Sequence, residues 1–213
     1  MDTFIFILEM IGTVAFASSG AMIAIEKKMD IFGVNVLGAT TAVGGGIMRD
    51  VILGLAPPTA FSKPVYILIA VVTSTILFAI AYKRMDTIRS ITKSEYYDKL
   101  MFWCDTAGLG IFTVVGIQTA SRMMQENNTF FFVFIGVLTG VGGGVLRDIM
   151  AGETPYILVK HIYACAAIAG GIVCVVSRNM MGSAAGVILG LAVTVILRFL
   201  AAHFHWNLMR AGQ

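Results

Sequence analysis

The stretch Gly44-Gly45-Gly46-Ile47-Met48-Arg49-Asp50 occurs again as Gly142-Gly143-Gly144-Val145-Leu146-Arg147-Asp148. In both places three glycines and an adjacent Arg-Asp pair interrupt an otherwise apolar run. Each glycine weakens a helix by about 1 kcal/mol relative to alanine. Such a motif, written twice, indicates that the two halves of the chain are related and that the motif serves a purpose other than helix stability.

The composition around this motif is that of a membrane protein. Of the 213 residues 58% are hydrophobic and 13% are charged, against about 25% charged in a typical soluble domain. Because a membrane-spanning helix needs about 20 apolar residues, the apolar runs predict seven transmembrane helices in an all-α polytopic protein. The predicted spans are 3–25, 32–55, 64–82, 100–121, 129–151, 156–177 and 182–201.

The duplicated motif divides the chain into two repeats of three spans. Residues 41–57 and 139–155 align in one register, which predicts repeat one at 1–82 and repeat two at 100–177. An odd number of spans makes the second repeat enter the membrane from the opposite face, so the repeats are predicted to be inverted. Residues 83–99 form a charged cytoplasmic link, and span 182–201 stands outside the repeat. We treat the whole chain as one membrane domain.

Loop charges predict the orientation. The net charge of +3 reflects basic loops, which favour the cytoplasmic side, and not a nucleic-acid surface. This places the N-terminus outside and the C-terminus in the cytoplasm. The basic loop residues on the predicted cytoplasmic side are Lys27, Lys28, Lys83, Arg84, Arg89, Lys93, Lys99, Lys160 and Arg210, and those on the other side are Lys63, Arg122 and Arg178.

The glycines predict a break in the second and fifth spans. At a break, one half-helix leaves carbonyl oxygens without partners and the other leaves N–H groups. The carbonyls suit a cation, and the N–H end suits a carboxylate. A cation pathway and a site for a small zwitterion such as an amino acid both fit this chemistry. The candidate kink and pathway residues are Gly44, Gly45, Gly46, Gly142, Gly143 and Gly144.

The four charged residues of the motifs are candidates for lining this pathway or bracing the fold. Neighbours on a helix lie about 100° apart around its axis, so Arg49 and Asp50 are not expected to face each other. The repeat suggests instead a cross-pairing of Arg49 with Asp148 and of Arg147 with Asp50. Bracing and lining are compatible roles.

Further polar residues recur in both repeats. Glu9 in the first span matches Asp105 in the fourth, and either a polar cavity or a membrane interface would accommodate them. Lys63 and Tyr66 match Lys160 and Tyr163, where snorkelling to the interface is favoured over a pore or lipid-headgroup role. Arg198 in the last span is also expected to snorkel.

No enzyme constellation is present. The sequence has neither a nucleophile–histidine–carboxylate set nor clustered metal-ligand spacing, so we expect no catalytic activity, no metal site and no cofactor. Cys104, Cys165 and Cys174 are read as small apolar packing residues.

With its paired G-G-G-x-x-R-D motifs in two three-span repeats and a seventh span, the chain resembles the bacterial branch of the trimeric intracellular cation channel family. The same domain has also been labelled a glycine transporter. The resemblance implies a homotrimer in the bacterial inner membrane, with a pore for monovalent cations, chiefly potassium, in each protomer. It implies that the kinked second and fifth helices line the path, with Arg49, Asp50, Arg147 and Asp148 beside the kinks. In animal members a basic residue binds a phosphoinositide lipid, and no residue here is matched to it.

Three functions therefore remain open from the sequence. The first is a passive channel for potassium or sodium. The second is a secondary transporter for a small amino acid such as glycine. The third is a structural membrane protein in which these features serve packing alone.

Overall fold

The computed structural model describes residues 2–83, 95–124, 128–159, 162–204 and 206. All regular structure in these ranges is helical. The helices are α1 (Asp2–Glu26), α2 (Ile31–Ile52), α3 (Thr59–Ser62), α4 (Val65–Lys83), α5 (Glu95–Met123), α6 (Thr129–Met150), α7 (Tyr156–Val159), α8 (Tyr163–Met181) and α9 (Ser183–His203).

Seven of these helices are long and apolar enough to cross a membrane, which confirms the predicted all-α polytopic fold. The short helices α3 and α7 each have four residues. The predicted sixth span was wrong at its start, because 156–159 form the separate helix α7 and the long helix begins only at Tyr163. The fourth long helix starts at Glu95, inside the predicted link, and residues 84–94 of that link lie outside the described residues.

The helix ends of α2 and α6 have the same local chemistry. Asp30 caps α2 by accepting a hydrogen bond from the Gly33 N–H at 2.8 Å. Asn128 caps α6 in the same way, by accepting a hydrogen bond from the Phe131 N–H at 3.0 Å. After both helices a glycine adopts a positive φ, +73° at Gly54 and +71° at Gly152. Because that conformation is strained for residues with a side chain, these glycines stop the helices at equivalent positions.

The long helices pack as two groups of three. Helices α1, α2 and α4 contact one another, as do α5, α6 and α8. The groups meet where α2 packs against α6 and α1 against α5. Helix α9 packs against α8 and α5, so it covers the second group. The fold thus places two similar helix groups around one central contact and adds a helix to one of them.

The predicted breaks at the glycine triplets are absent. Helix α2 runs without interruption from Ile31 to Ile52, and α6 from Thr129 to Met150. The glycines serve close packing instead. A Cβ atom added to Gly45 would lie 2.1 Å from the Thr139 carbonyl oxygen, and one added to Gly143 would lie 2.1 Å from the Thr41 carbonyl oxygen. No side chain fits at this crossing, so glycine lets two intact helices touch through their backbones.

A surface ion pair joins the two groups at one face. Lys27 follows α1 and lies 2.7 Å from Glu153, which follows α6. The hydrogen bond to Glu153 raises the pKa of Lys27 above its usual value. Both residues are on the same side of the helix bundle, as alternating spans require.

Candidate functional site

The C-terminal half of α2 carries an Arg-Asp pair that closes on itself. Arg49 Nε donates to Asp50 Oδ1 at 2.7 Å, and Arg49 Nη2 lies 2.7 Å from the same oxygen. The other oxygen, Asp50 Oδ2, accepts the Thr59 N–H at 2.7 Å. Asp50 therefore fixes the side chain of the preceding residue, Arg49, and the first turn of α3.

The second pair repeats this arrangement. Arg147 Nε donates to Asp148 Oδ1 at 2.8 Å, and Asp148 Oδ2 accepts the Tyr156 N–H at 2.8 Å, at the start of α7. The predicted cross-pairing is therefore wrong: among the described residues, each arginine pairs with its own neighbour. Neighbouring residues of a helix point about 100° apart, but an arginine side chain is long enough to fold back beside the next residue.

The recurring carboxylates and tyrosines lie beside these pairs. Tyr66 OH donates to Glu9 Oε2 at 2.5 Å, and Tyr163 OH lies 3.4 Å from Asp105 Oδ1. Both tyrosines are buried inside the protein, so their hydroxyls do not reach solvent as snorkelling would require. Each aromatic hydroxyl instead lies within hydrogen-bonding distance of the recurring carboxylate in its own repeat.

The two lysines are placed differently. Lys63 is exposed at the end of α3. Lys160 lies outside the described residues. Lys63 therefore does not share the buried site of Tyr66, although the two residues recur together in the sequence.

The first cluster borders a cavity of about 30 Å³. A water molecule needs roughly 10–15 Å³ of such space, so one or two waters fit. Glu9 is half-buried beside it, and Gly46 on α2 leaves part of the wall without a side chain. The lining residues are Glu9, Thr13, Ala42, Val43, Gly46, Arg49, Asp50, Thr59, Ala60, Tyr66 and Phe112.

The charge in this cavity favours a cation. With its side chains ionised, the cluster has two carboxylates, Glu9 and Asp50, and the single guanidinium of Arg49. Asp50 pairs with Arg49 and accepts the Thr59 N–H. The negative charge of Glu9, which lines the cavity, is therefore left without a cationic partner in the part of the chain that the structure describes. A carboxylate inside a membrane protein is costly and usually faces a polar cavity or partner. A monovalent cation would neutralise it.

The second cluster is packed more tightly. Arg147 Nη1 lies 2.8 Å from Asp105 Oδ1 and also donates to Ser19 of α1. Arg147, Asp148 and Asp105 are all at most 3% exposed. Ser19 was missed at the sequence level, because nothing in the repeat marks a serine of the first half as a partner for an arginine of the second.

Arg198 was also misplaced by the sequence reasoning. It does not snorkel: it is 1% exposed, and its Nη2 lies 3.5 Å from Asp105 Oδ2. Its guanidinium carbon lies 4.8 Å from the ring centre of Phe102 and 4.7 Å from that of Tyr163. The sequence does carry a signal for such a partner: Arg147 and Asp148 neutralise each other, so the additional carboxylate of Asp105 needs a further positive charge.

Comparison with known proteins identifies the family. A family model described as Glycine transporter matches residues 6–82 and 102–179. The UPF0126 inner membrane protein YadS of Escherichia coli K12 is 37% identical over 94% of this chain and 93% of its own length. The UPF0126 membrane protein YvgT of Bacillus subtilis is 33% identical over 95% of this chain and 94% of its own.

Solved structures show the same fold. A structure reported for conductance through TRIC cation channels has 36% identity and a TM-score of 0.81, covering 97% of both chains. The TRIC trimeric intracellular cation channel orthologue from Rhodobacter sphaeroides has 29% identity and a TM-score of 0.85, covering 96% of this chain and all of that one. The seven apolar helices, the paired motifs and these likenesses agree, and the chain is a multi-pass membrane protein that belongs to the TRIC channel family, within the group that the Glycine transporter model and the UPF0126 membrane proteins represent.

Proposed function

We propose that this protein is a potassium-permeable channel for monovalent cations, with a path through each protomer of a homotrimer. The observation that carries the proposal is the cavity beside Glu9, which has room for one or two waters and faces a carboxylate whose charge its neighbours leave unbalanced. Its solved neighbours are TRIC cation channels, and one is described as trimeric.

The absence of helix breaks changes the chemistry we propose for the path. Intact helices keep their carbonyl oxygens within the helical hydrogen-bond pattern, so backbone oxygens freed by a break are not the source of cation affinity. We assign that role to side chains, with Glu9 as the main charge and Tyr66 and Thr13 as its polar neighbours. The proposed function needs no cofactor: potassium or sodium is the permeating ion, and a membrane lipid is the one further molecule that we expect to bind.

The membrane arrangement is part of the proposal. We place the protein in the bacterial inner membrane with its N-terminus outside and its C-terminus in the cytoplasm, and we treat the two helix groups as inverted repeats. In this orientation the Glu9 cavity opens to the outer half of the membrane and the Asp105 cluster lies in the inner half. Cysteine labelling from one side of sealed vesicles tests it: a cysteine at Lys63 should react from outside and one at Lys28 should not.

Recording from purified protein in planar bilayers tests the function. We expect ohmic single-channel steps that reverse near the potassium equilibrium potential in a KCl gradient. Glu9→Gln should reduce the cation conductance severalfold, because it removes the charge that faces the cavity. Glu26→Gln, at the exposed end of α1, is the matched control and should conduct normally.

A glycine-uptake assay in liposomes tests the alternative function, a secondary transporter for a small amino acid such as glycine. Saturable, ion-coupled glycine uptake without cation-selective steps would overturn the channel proposal and favour a transporter. Equal conductance of Glu9→Gln and wild-type protein would overturn the role given to Glu9.

A further inference from the structure

The cluster around Asp105 contains an arginine for which the first half has no counterpart. Asp105, Arg147, Asp148 and Tyr163 correspond to Glu9, Arg49, Asp50 and Tyr66. Arg198 is an addition, supplied by α9 from outside the two groups of three. Where the first cluster has its cavity, the second has a guanidinium.

The surroundings of Arg198 are unusual for a buried arginine. None of its three guanidinium nitrogens has a hydrogen-bond partner, and neither has Asp105 Oδ2, the oxygen that faces it at 3.5 Å. The guanidinium is held instead between two aromatic rings. Aromatic faces attract cations of many kinds through their quadrupole. The site is therefore built to hold a positive charge without the directional hydrogen bonds that usually fix an arginine.

The charges explain what the arginine replaces. Asp105, Arg147 and Asp148 carry one net negative charge, as Glu9, Arg49 and Asp50 do in the first cluster. In the first cluster that charge faces a cavity with room for water, whereas in the second it faces Arg198. We propose that Asp105 forms a second site for a monovalent cation and that Arg198 is a tethered cation occupying it, which closes the inner half of the path.

Repulsion between like charges would make this closure effective. A mobile cation about 4 Å from a fixed guanidinium would be disfavoured by about a thousandfold in occupancy at the effective dielectric usual in proteins. Potassium could then bind at Asp105 only when Arg198 withdraws. The absence of hydrogen bonds to Arg198 makes such a withdrawal less costly than breaking a bidentate pair.

The gating part of this inference rests on the proposed channel function, whereas the cation site can be tested without it. The informative variants are Arg198→Gln and Arg198→Met, which remove the charge. The methionine keeps an apolar body between the two rings. Arg198→Lys keeps the charge, and Arg178→Gln, at the end of α8, is the control for a lost arginine elsewhere.

Bilayer recording and potassium-dependent melting are the two readouts. We expect the neutral variants to raise the mean potassium current at least severalfold, with Arg198→Lys and Arg178→Gln close to wild type. In detergent, replacing N-methylglucamine chloride by KCl at equal ionic strength should raise the melting temperature of Arg198→Gln more than that of wild type. Adding Asp105→Asn should abolish the extra rise.

The outcomes separate the two ideas. If wild type conducts and the neutral variants show neither extra current nor extra stabilisation by potassium, the inference is overturned while the channel stands. If no protein conducts but potassium stabilises Arg198→Gln through Asp105, the cation site stands and the channel function falls. If Arg198→Gln and Arg198→Met both fail to assemble, Arg198 is a structural element and the inference is overturned.

Discussion

Replacing Gly45 with alanine tests the packing role of the glycine triplets. The new methyl group would lie 2.1 Å from the Thr139 carbonyl oxygen, whereas a carbon and an oxygen in weak contact are about 3.3 Å apart. Helices α2 and α6 would therefore have to separate by about 1.2 Å at their crossing. Neither side of the contact is a flexible side chain, so no rotamer change can relieve the clash.

The expected cost follows from two opposing effects. Overpacking of this kind costs about 1–3 kcal/mol and sometimes more, while alanine gains about 1 kcal/mol over glycine in a helix. The difference is about 0–2 kcal/mol, and we expect Gly45→Ala to lose about 2 kcal/mol of stability because the clash is with rigid backbone. For a chain of this size each kcal/mol shifts the melting temperature by about 2–4 °C. Thermal unfolding in detergent measures the shift.

Gly46 provides the matched control within the same triplet. A Cβ added there meets only Arg49 Nη2, at 3.9 Å, so Gly46→Ala should be as stable as wild type or slightly more stable. Because Gly46 lines the cavity, the same variant should nevertheless lower the cation conductance. If Gly45→Ala melts at the same temperature as Gly46→Ala, the close-packing explanation is wrong.

The symmetry of the crossing makes a double variant informative. Gly143→Ala should cost about as much as Gly45→Ala, because its Cβ meets the Thr41 carbonyl oxygen at the same 2.1 Å. Once one methyl group has separated the helices, the second needs less additional movement. The double variant should therefore lose less stability than the two single changes together. Full additivity would show that the two contacts are independent, against the proposed single crossing.

Three further changes probe other parts of the fold. Asp148→Asn should lower the free energy of unfolding by about 1–3 kcal/mol, because it removes one of the two carboxylates that pair with the buried Arg147 and leaves only Asp105; an unchanged melting temperature would contradict the importance of that pair. Phe16→Ala, at a fully buried ring, should cost about 3–5 kcal/mol through cavity formation, whereas Phe4→Ala, which is 38% exposed, should cost far less. The hydrogen bond from Lys27 to Glu153 raises the lysine pKa from 10.5, so its stabilisation should be present at neutral pH and disappear as the pH rises past the raised value. Melting of wild type and Lys27→Gln should differ at neutral pH and converge in strong base, and a difference that persists there would refute the ion pair as its cause.

Much of the fold is readable from local sequence. Seven apolar runs of membrane-spanning length predict the seven long helices, because a bilayer leaves few alternatives to a helix of about 20 residues. The internal similarity also identifies Glu9 and Asp105, and Tyr66 and Tyr163, as equivalent residues of the two repeats, whereas the hydrogen bond from each tyrosine to the carboxylate of its own repeat is visible only in the structure. Helix ends are less predictable: the apolar run predicts that Gly54 lies inside a span, whereas α2 ends before it and Gly54 has a positive φ.

The purpose of the glycines was decided by tertiary structure. Three glycines permit a break and also permit a close approach, and local propensity is the same in both cases. The outcome depends on what faces Gly45 and Gly143, which is the carbonyl of a residue about a hundred positions away in each case. No local pattern carries that information.

The partners of the buried charges likewise depend on the assembled fold. The sequence alone determined that the chain spans a membrane with seven helices and repeats one charged motif, because apolar length and internal similarity are properties of the chain itself. Only the tertiary structure decided that each Arg-Asp pair closes on itself and that Arg198 faces Asp105. Charges in a membrane interior need partners, but which partner is within reach is set by how the helices pack.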